Sequence, residues 1–167
     1  MHITKTTIIF FILLGVFSSR IEAVSSKTLA VKVFVDEEEP RTVAFWHETL
    51  ARRVDQASVI LSRYGDVHFS VTKFGTWDSD DGQIDFPLSL KEFEREVSPH
   101  PAELAVGFTS QYHLSKGRSN LGGTRGPLRK HILIREGSPQ IQETERLEIL
   151  VHELAHYLGA AHSGSLD

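Results

Sequence analysis

The chain has 167 residues, 40% of them hydrophobic and 24% charged, and these values are ordinary for one globular domain. The net charge of −4 and the lack of a basic block argue against a nucleic-acid partner, because phosphate binding needs clustered Lys and Arg. The sequence contains no cysteine, which excludes disulfides and thiolate metal ligands. Any metal ligands must therefore be nitrogen or oxygen atoms.

Residues 1–23 have the layout of a secretory signal peptide. Lys5 precedes an apolar run from Ile8 to Phe17, and small and polar residues follow up to Ala23. The apolar run is about half the length that a membrane span needs, so we expect removal of the segment and no stable membrane anchor. The pattern predicts an exported protein, secreted or periplasmic, whose mature domain comprises residues 24–167.

The mature chain begins with a strand and a long helix. The strand, "TLAVKVFVDE", places apolar side chains on one face at every second position. The amphipathic helix that follows is opened by Pro40 and ends near Gly65. Its apolar positions recur every three or four residues and are Val43, Trp46, Leu50, Val54, Ala57 and Leu61. The acidic run "DEEE" before Pro40 could be a cation site, but carboxylates at a helix start also favour the helix dipole, which is our interpretation.

Three further strands are predicted, within "DVHFSVTKF", "ELAVGFT" and "HILIRE". The order of strands and helices predicts an α/β (α+β) fold with a twisted, mostly parallel sheet. The segment "KGRSNLGGTRGPL" is either a loop or a short exposed edge strand. The acidic segment "WDSDDGQID" lacks acids at the spacing of a calcium-binding EF-hand, so we expect a solvated loop.

The last helix is predicted from about Gln140 to Leu158, with Gly159 as its stop signal. Its core-facing stripe comprises Leu147, Leu150, Val151, Leu154 and Leu158. His152 and His156 lie on a different face and are four residues apart, so their imidazoles can converge on one cation.

A third histidine completes a candidate metal site. Gly159 allows the chain to reverse, so that His162 can return to the two helix histidines. Three neutral imidazoles suit Zn²⁺ and leave one tetrahedral position for water, which is the arrangement of a catalytic zinc site. Glu153, about 100° round the helix from His152, is placed to act as general base. The sequence thus predicts one zinc ion bound by His152, His156 and His162, with Glu153 as the catalytic residue.

These five positions match H-E-x-x-H-x-x-G-x-x-H, the signature of the metzincin metalloendopeptidases, and Ser163 resembles the matrixin branch. An isolated His-Glu-x-x-His could be two exposed histidines, but the longer pattern rarely occurs by chance. The resemblance implies a zinc endopeptidase acting on peptide or protein substrates, with a long backing helix and an active-site helix. It also implies that an edge strand within "LGGTRGPL" pairs with extended substrate. Ala155 departs from the glycine that matrixins commonly have there.

Metzincins place a methionine turn beneath the metal, yet Met1 is the sole methionine of this sequence. We therefore expect a fragment truncated before that turn, whose catalytic domain lacks its C-terminal subdomain. The competing hypothesis is an exported zinc-binding protein without peptidase activity. A thermolysin-like hydrolase with a downstream glutamate ligand fits the spacing of Gly159 and His162 less well. We do not expect a second metal site at His113 and His131.

Overall fold

The structure, a computed structural model, describes residues 26–39, 41–110, 121–136 and 141–162. Five strands form one sheet in the order β2-β1-β3-β5-β4, and their bounds are β1 Lys27–Asp36, β2 Val67–Trp77, β3 Leu104–Thr109, β4 Gly122–Thr124 and β5 His131–Arg135. The three helices are α1 Val43–Leu61, α2 Phe86–Glu96 and α3 Glu143–Tyr157. All strand pairs are parallel except β4 with β5. The predicted mixed α/β fold with a mostly parallel sheet is confirmed.

The main core lies between one face of the sheet and helices α1 and α3. Every second residue of β1 is buried there, as the alternation in the sequence predicted. The apolar stripe of α1 packs in one buried cluster with side chains of β1, β2 and β3, and α3 adds Leu150, Leu154 and Tyr157 to this cluster. The prediction is wrong at the first stripe position, because Val43 is 59% exposed. Helix α1 starts behind Thr42, whose hydroxyl accepts a hydrogen bond from the amide of Phe45. This packing fixes α3, which carries His152 and His156, against the sheet.

Helix α2 was not predicted, although the sequence contains its signals. Asp85 is the N-cap and accepts a hydrogen bond from the amide of Leu88, and Pro87 lies in the first turn. The helix covers the opposite face of the sheet, where it packs on Ala105 and Leu133. Its apolar side chains, which form a second small core, are Phe86, Leu90 and Phe93. The sheet is therefore covered on both faces, and α2 forms one side of the region around β4.

Strand β2 is longer than predicted and contains a bulge at Thr72. The pairing with β1 skips this residue, because Val31 lies opposite Val71 and Lys32 opposite Lys73. The Thr72 hydroxyl donates a hydrogen bond to the carbonyl of Val31, 3.2 Å away. A bulge shifts the side-chain alternation by one residue, which is why Phe74 packs against the main core although strict alternation from Val67 does not predict it.

The acidic run before α1 does not serve the helix dipole, and our interpretation of it was wrong. Helix α1 has no acidic residue in its first turn. Instead Asp36, at the end of β1, is buried and accepts hydrogen bonds from Thr109 and Ser110, while Glu37 accepts from the amide of Ser79. These carboxylates thus tie loops together at the carboxyl ends of the strands.

In the part of the chain that the structure describes, no helix is long and apolar enough to cross a membrane. The predicted signal peptide, residues 1–23, lies outside the described residues.

Candidate metal centre and cleft

Helix α3 is slightly shorter than predicted and its ends have clear physical causes. It begins behind Gln142, which forms a capping box with Glu145. It ends at Tyr157, so Leu158 is the C-cap residue and remains 40% exposed. The predicted core stripe is therefore wrong at Leu158, and Tyr157 occupies the core instead.

The turn after α3 is a Schellman motif built on Gly159. The amide of Gly159 donates a hydrogen bond to the carbonyl of His156, 3.0 Å away. The amide of Ala160 donates a hydrogen bond to the carbonyl of Ala155, 2.9 Å away. Gly159 has a backbone φ of +104°, which residues with a Cβ rarely adopt. This reversal returns His162 towards the helix, as the position of the glycine predicted.

The structure brings His152, His156 and His162 together. Their ring centroids are 4.4 Å apart for His152 and His156, 4.4 Å for His156 and His162, and 5.1 Å for His152 and His162. One ring nitrogen from each lies within 4.8 Å of the others. Within the described ranges this is the only group of three or more such side chains close enough to share one ion.

The geometry of these side chains fits a small divalent cation with imidazole ligands. The Nε2 atoms of His152 and His156 are 3.0 Å apart. Two ligands about 2.0 to 2.1 Å from a tetrahedral zinc are separated by roughly 3.3 Å, so little movement is needed. The residues present therefore fit a zinc ion.

The Schellman turn after α3 also orients the imidazole ring of His156. The Nδ1 atom of His156 donates a hydrogen bond to the carbonyl of Ala160, which is 2.6 Å away. A neutral imidazole that donates from Nδ1 keeps the lone pair of Nε2 free for a metal. The Schellman turn thus returns His162 and also sets the tautomer of His156.

Glu153 lies beneath the edge strand β4. It is only 6% exposed, and it makes no hydrogen bond or ion pair with any residue that the structure describes. Gly122 of β4 approaches so closely that an added Cβ would be 3.0 Å from Cγ of Glu153 and 3.2 Å from its Oε1. The same Cβ would lie 3.0 Å from Cγ2 of Ile149. The backbone of β4 therefore passes so close to Glu153 that no side chain fits at position 122 without a shift, a proximity that local sequence patterns do not reveal.

Burial and neighbouring rings shift the pKa values of two of these groups. Desolvation raises the pKa of Glu153, and the nearby His156 opposes that change. Desolvation lowers the pKa of His152, and the proximity of His156 and His162 lowers it further. Both shifts favour the uncharged side chain, and a neutral imidazole is the form that binds metal.

Two cavities meet at the histidines and share Gly122, His152 and Glu153. The first, here named the acidic cavity, has a volume of about 650 Å³ and lies along the first half of α3. Its other lining residues are Leu121, Ile141, Glu145, Glu148 and Ile149. The second, named the α2 cavity, has a volume of about 420 Å³ and lies between β4 and α2. Together they form a cleft that runs past His152 along β4.

A buried ion network holds the start of α3, and it was not anticipated. Arg53 of α1 has no exposed surface and donates to Glu143 at 2.6 and 2.9 Å. It also pairs with Glu136, which follows β5 and accepts a further bond from Arg146 at 3.0 Å. Burial opposes the charge of Arg53, but the pairs with Glu143 and Glu136 outweigh it and raise its pKa. The signal in the sequence was an arginine within the apolar stripe of α1.

The remaining histidines do not form a second site among the described residues. His131 contacts the carbonyl of Val97 through Nε2, at 2.8 Å. His47 stacks on Phe74 with ring centroids 4.1 Å apart. His113, considered above with His131 for a second metal site, lies outside the described residues. Ser163, which carries the resemblance to matrixins, also lies outside them.

No protein-family model matches the chain, and no curated protein matches it. Among solved structures, it is similar to the archaemetzincin of Methanopyrus kandleri, with a TM-score of 0.54, 18% identity, and coverage of 82% of this chain and 77% of that one. The archaemetzincin of Archaeoglobus fulgidus complexed with malonate matches with a TM-score of 0.51, 15% identity and 82% coverage of both chains. A chain in a chaperone–substrate complex matches with a TM-score of 0.55, 12% identity and 85% coverage of this chain.

These likenesses show the fold. The chain spans 28% of the chain in the chaperone–substrate complex, but 77% and 82% of the two archaemetzincins. The mixed α/β architecture of this chain is therefore similar to that of the two archaemetzincin structures.

Proposed function

We propose that this protein is a zinc-dependent endopeptidase that hydrolyses peptide bonds in extended substrates. The observation that carries the proposal is the convergence of His152, His156 and His162 beside the buried side chain of Glu153, which has no hydrogen-bond or ion-pair partner among the described residues. His152, His156 and His162 would bind the zinc ion through ring nitrogens. When bound, zinc supplies a Lewis acid that polarises a carbonyl group and makes water a stronger acid.

Glu153 is the proposed general base. Its carboxylate accepts a proton from the attacking water and then passes that proton to the nitrogen of the leaving amine. Burial supports this role, because a carboxylate with a raised pKa holds a proton more readily than an exposed one. The Gly122 backbone keeps the carboxylate beside the histidines, since little space remains between Cγ of Glu153 and the strand.

Strand β4 is the proposed platform for the substrate backbone. It pairs with β5 on one side and lies at the edge of the sheet, so its other side can pair with an extended peptide. The sequence predicts either a loop or a short exposed edge strand for this segment, and the structure contains an edge strand there. The edge position next to the histidines supports a peptide substrate.

Two finer points remain proposals that rest on the sequence. Export is supported by the signal-peptide pattern of residues 1–23. Assignment to the matrixin branch is supported by Ser163 alone, whereas the structural neighbours described above are archaemetzincins.

The test replaces Glu153 by Gln, which is close in size but is not a general base. We expect Glu153→Gln to retain about one zinc per chain and to lose at least 100-fold in peptide hydrolysis. His156→Ala should lose both zinc and hydrolysis, while the matched control His68→Ala, an exposed histidine of β2, should keep both. Hydrolysis by Glu153→Gln at the parent rate would overturn the mechanism. Zinc binding by a parent that cleaves no library peptide would favour a zinc-binding protein without peptidase activity.

A further inference from the structure

We propose that the acidic cavity binds a basic side chain of the substrate, lysine or arginine, next to the peptide bond that is cut. This inference rests on the proposed peptidase function and names a substrate class for the same cleft. It depends on the charge, the wall chemistry and the position of the cavity.

The charge of the cavity has one sign. Glu145 and Glu148 line it together with Glu153, and no lysine or arginine is among the described residues that line it. Glu148 is exposed and makes no hydrogen bond or ion pair with any described residue. A cation that enters the cavity therefore meets carboxylates that no lysine or arginine among the described lining residues neutralises.

The helix dipole does not account for both carboxylates. Glu145 lies in the first turn of α3, where its Oε2 accepts the capping hydrogen bond from the amide of Gln142 at 3.0 Å. Glu148 lies three residues further on, beyond the first turn, where the dipole effect has declined. Stabilisation of α3 thus explains Glu145 but not the charge of Glu148.

The walls of the cavity suit a long aliphatic side chain. Leu121, Ile141 and Ile149 supply apolar surface between the carboxylates and the edge strand. Lysine and arginine combine an apolar stem with a charged end, so they can cover such walls and still reach a carboxylate. A short polar side chain or a carboxylate would match neither feature.

The position of the cavity links it to the reacting bond. It shares Gly122, His152 and Glu153 with the α2 cavity, so it opens directly beside the histidines. Glu153 is only 6% exposed and has no hydrogen-bond or ion-pair partner among the described residues. It also lines the acidic cavity. A peptide paired with β4 would therefore place a side chain near the cleaved bond in the acidic cavity. Among the described residues that line the α2 cavity, Glu153 is the only one with a carboxylate.

The experiment compares peptides that differ in one side chain. Cleavage of a randomised library by the zinc-loaded full chain first locates the cut bond. Peptides with Lys, norleucine or Glu at each position flanking that bond then measure selectivity. We expect a Lys over norleucine preference of about fivefold to tenfold in kcat/KM at one flanking position, with the preference declining at high salt.

The variants identify the source of that preference. Glu148→Gln should reduce it to about twofold, and the double variant with Glu145→Gln should abolish it, because glutamine preserves the cap of α3 but removes the charge. Cleavage of the uncharged norleucine peptide by each variant is the reference rate against which its preference for Lys is calculated. Glu48→Gln, which removes the same charge from an exposed position of α1, is the matched control and should leave the preference unchanged.

Failure of this inference can be distinguished from failure of the proposed function. A parent that cleaves peptides without a Lys preference, or a preference that survives in the double variant, overturns the basic-side-chain proposal and leaves the peptidase intact. If no peptide is cut, anisotropy with labelled Lys and norleucine peptides measures binding alone. Tighter binding of the Lys peptide that Glu148→Gln removes supports the cavity proposal without the peptidase, and equal binding overturns it.

Discussion

Gly122 of the edge strand lies directly against Glu153 of α3, where an added Cβ would be 3.0 Å from Cγ of the glutamate. The strand proposed to bind substrate and the proposed general base are therefore in steric contact. A change in the strand at this position must move the carboxylate or the strand itself.

Replacement of Gly122 by Ala should displace Glu153. We expect peptide hydrolysis to fall about tenfold or more, because small displacements of a catalytic group reduce rates strongly, while zinc affinity changes less than threefold. Overpacking should also lower the free energy of unfolding by about 1 to 3 kcal/mol. The control is Gly65→Ala, since nothing lies within 4 Å of a Cβ at that position. Parent-like hydrolysis by Gly122→Ala would show that the contact does not position Glu153.

Replacement of Gly159 by Ala should weaken metal binding. The φ of +104° strains any residue with a Cβ, and the expected loss in the free energy of unfolding is about 1 to 2 kcal/mol. Relaxation of the turn would move His162 and the Ala160 carbonyl that orients His156, so zinc affinity measured by chelator competition should fall about tenfold or more.

The control for that change is Gly126→Ala. Gly126 has a φ of +113° and open space around it, so its backbone strain matches that of Gly159, but the turn it forms carries no metal ligand. An equal loss of zinc affinity in both variants would mean that general destabilisation, and not ligand placement, causes the effect.

Removal of the buried arginine should destabilise the fold. Arg53→Met removes the fully buried cation that pairs with both Glu136 and Glu143, and we expect the free energy of unfolding to fall by about 3 kcal/mol in a denaturant titration, because Arg146 still pairs with Glu136. The neighbouring Arg52 makes only an exposed pair with Glu48, so Arg52→Met should change stability by less than about 1 kcal/mol. Similar small effects of both substitutions would contradict a structural role for the Arg53 network.

Asp36 should make stability depend on pH. Desolvation raises its pKa above the ordinary 3.8, although hydrogen bonds from Ser110 and Thr109 oppose that shift. The folded protein therefore binds more protons at this site than the unfolded chain. The stabilisation is complete below the unfolded pKa and is lost as pH rises through the folded pKa.

The measurement is the free energy of unfolding against pH for the parent and Asp36→Asn. We expect the stability of the parent relative to this variant to decline as pH rises from below 3.8 through the folded pKa. Asp55→Asn, an exposed substitution on α1, controls for the loss of one carboxylate. If the stability of the parent relative to Asp36→Asn rose with pH over this range, the pKa of Asp36 would be lowered by folding and not raised.

The regular elements were predictable where one face of the chain is buried. The alternation in β1 and the three-to-four spacing in α1 reflect a single buried face, and both elements lie where the pattern placed them, except that Val43 of the predicted α1 stripe is exposed. Helix α2 was missed although Asp85 and Pro87 mark its start. The bulge at Thr72 was not predictable, because pairing with β1 determines which residue is skipped.

The sequence by itself determined the donor set and the local turn. The spacing of His152 and His156 on a helix, with Gly159 before His162, depends only on helix geometry and on the freedom of glycine at positive φ. Only the tertiary structure decided that Glu153 is buried beneath Gly122 and that Arg53 joins Glu143 and Glu136. Those contacts join residues far apart in the chain, and their distances follow from how the sheet and helices pack, which no local pattern encodes.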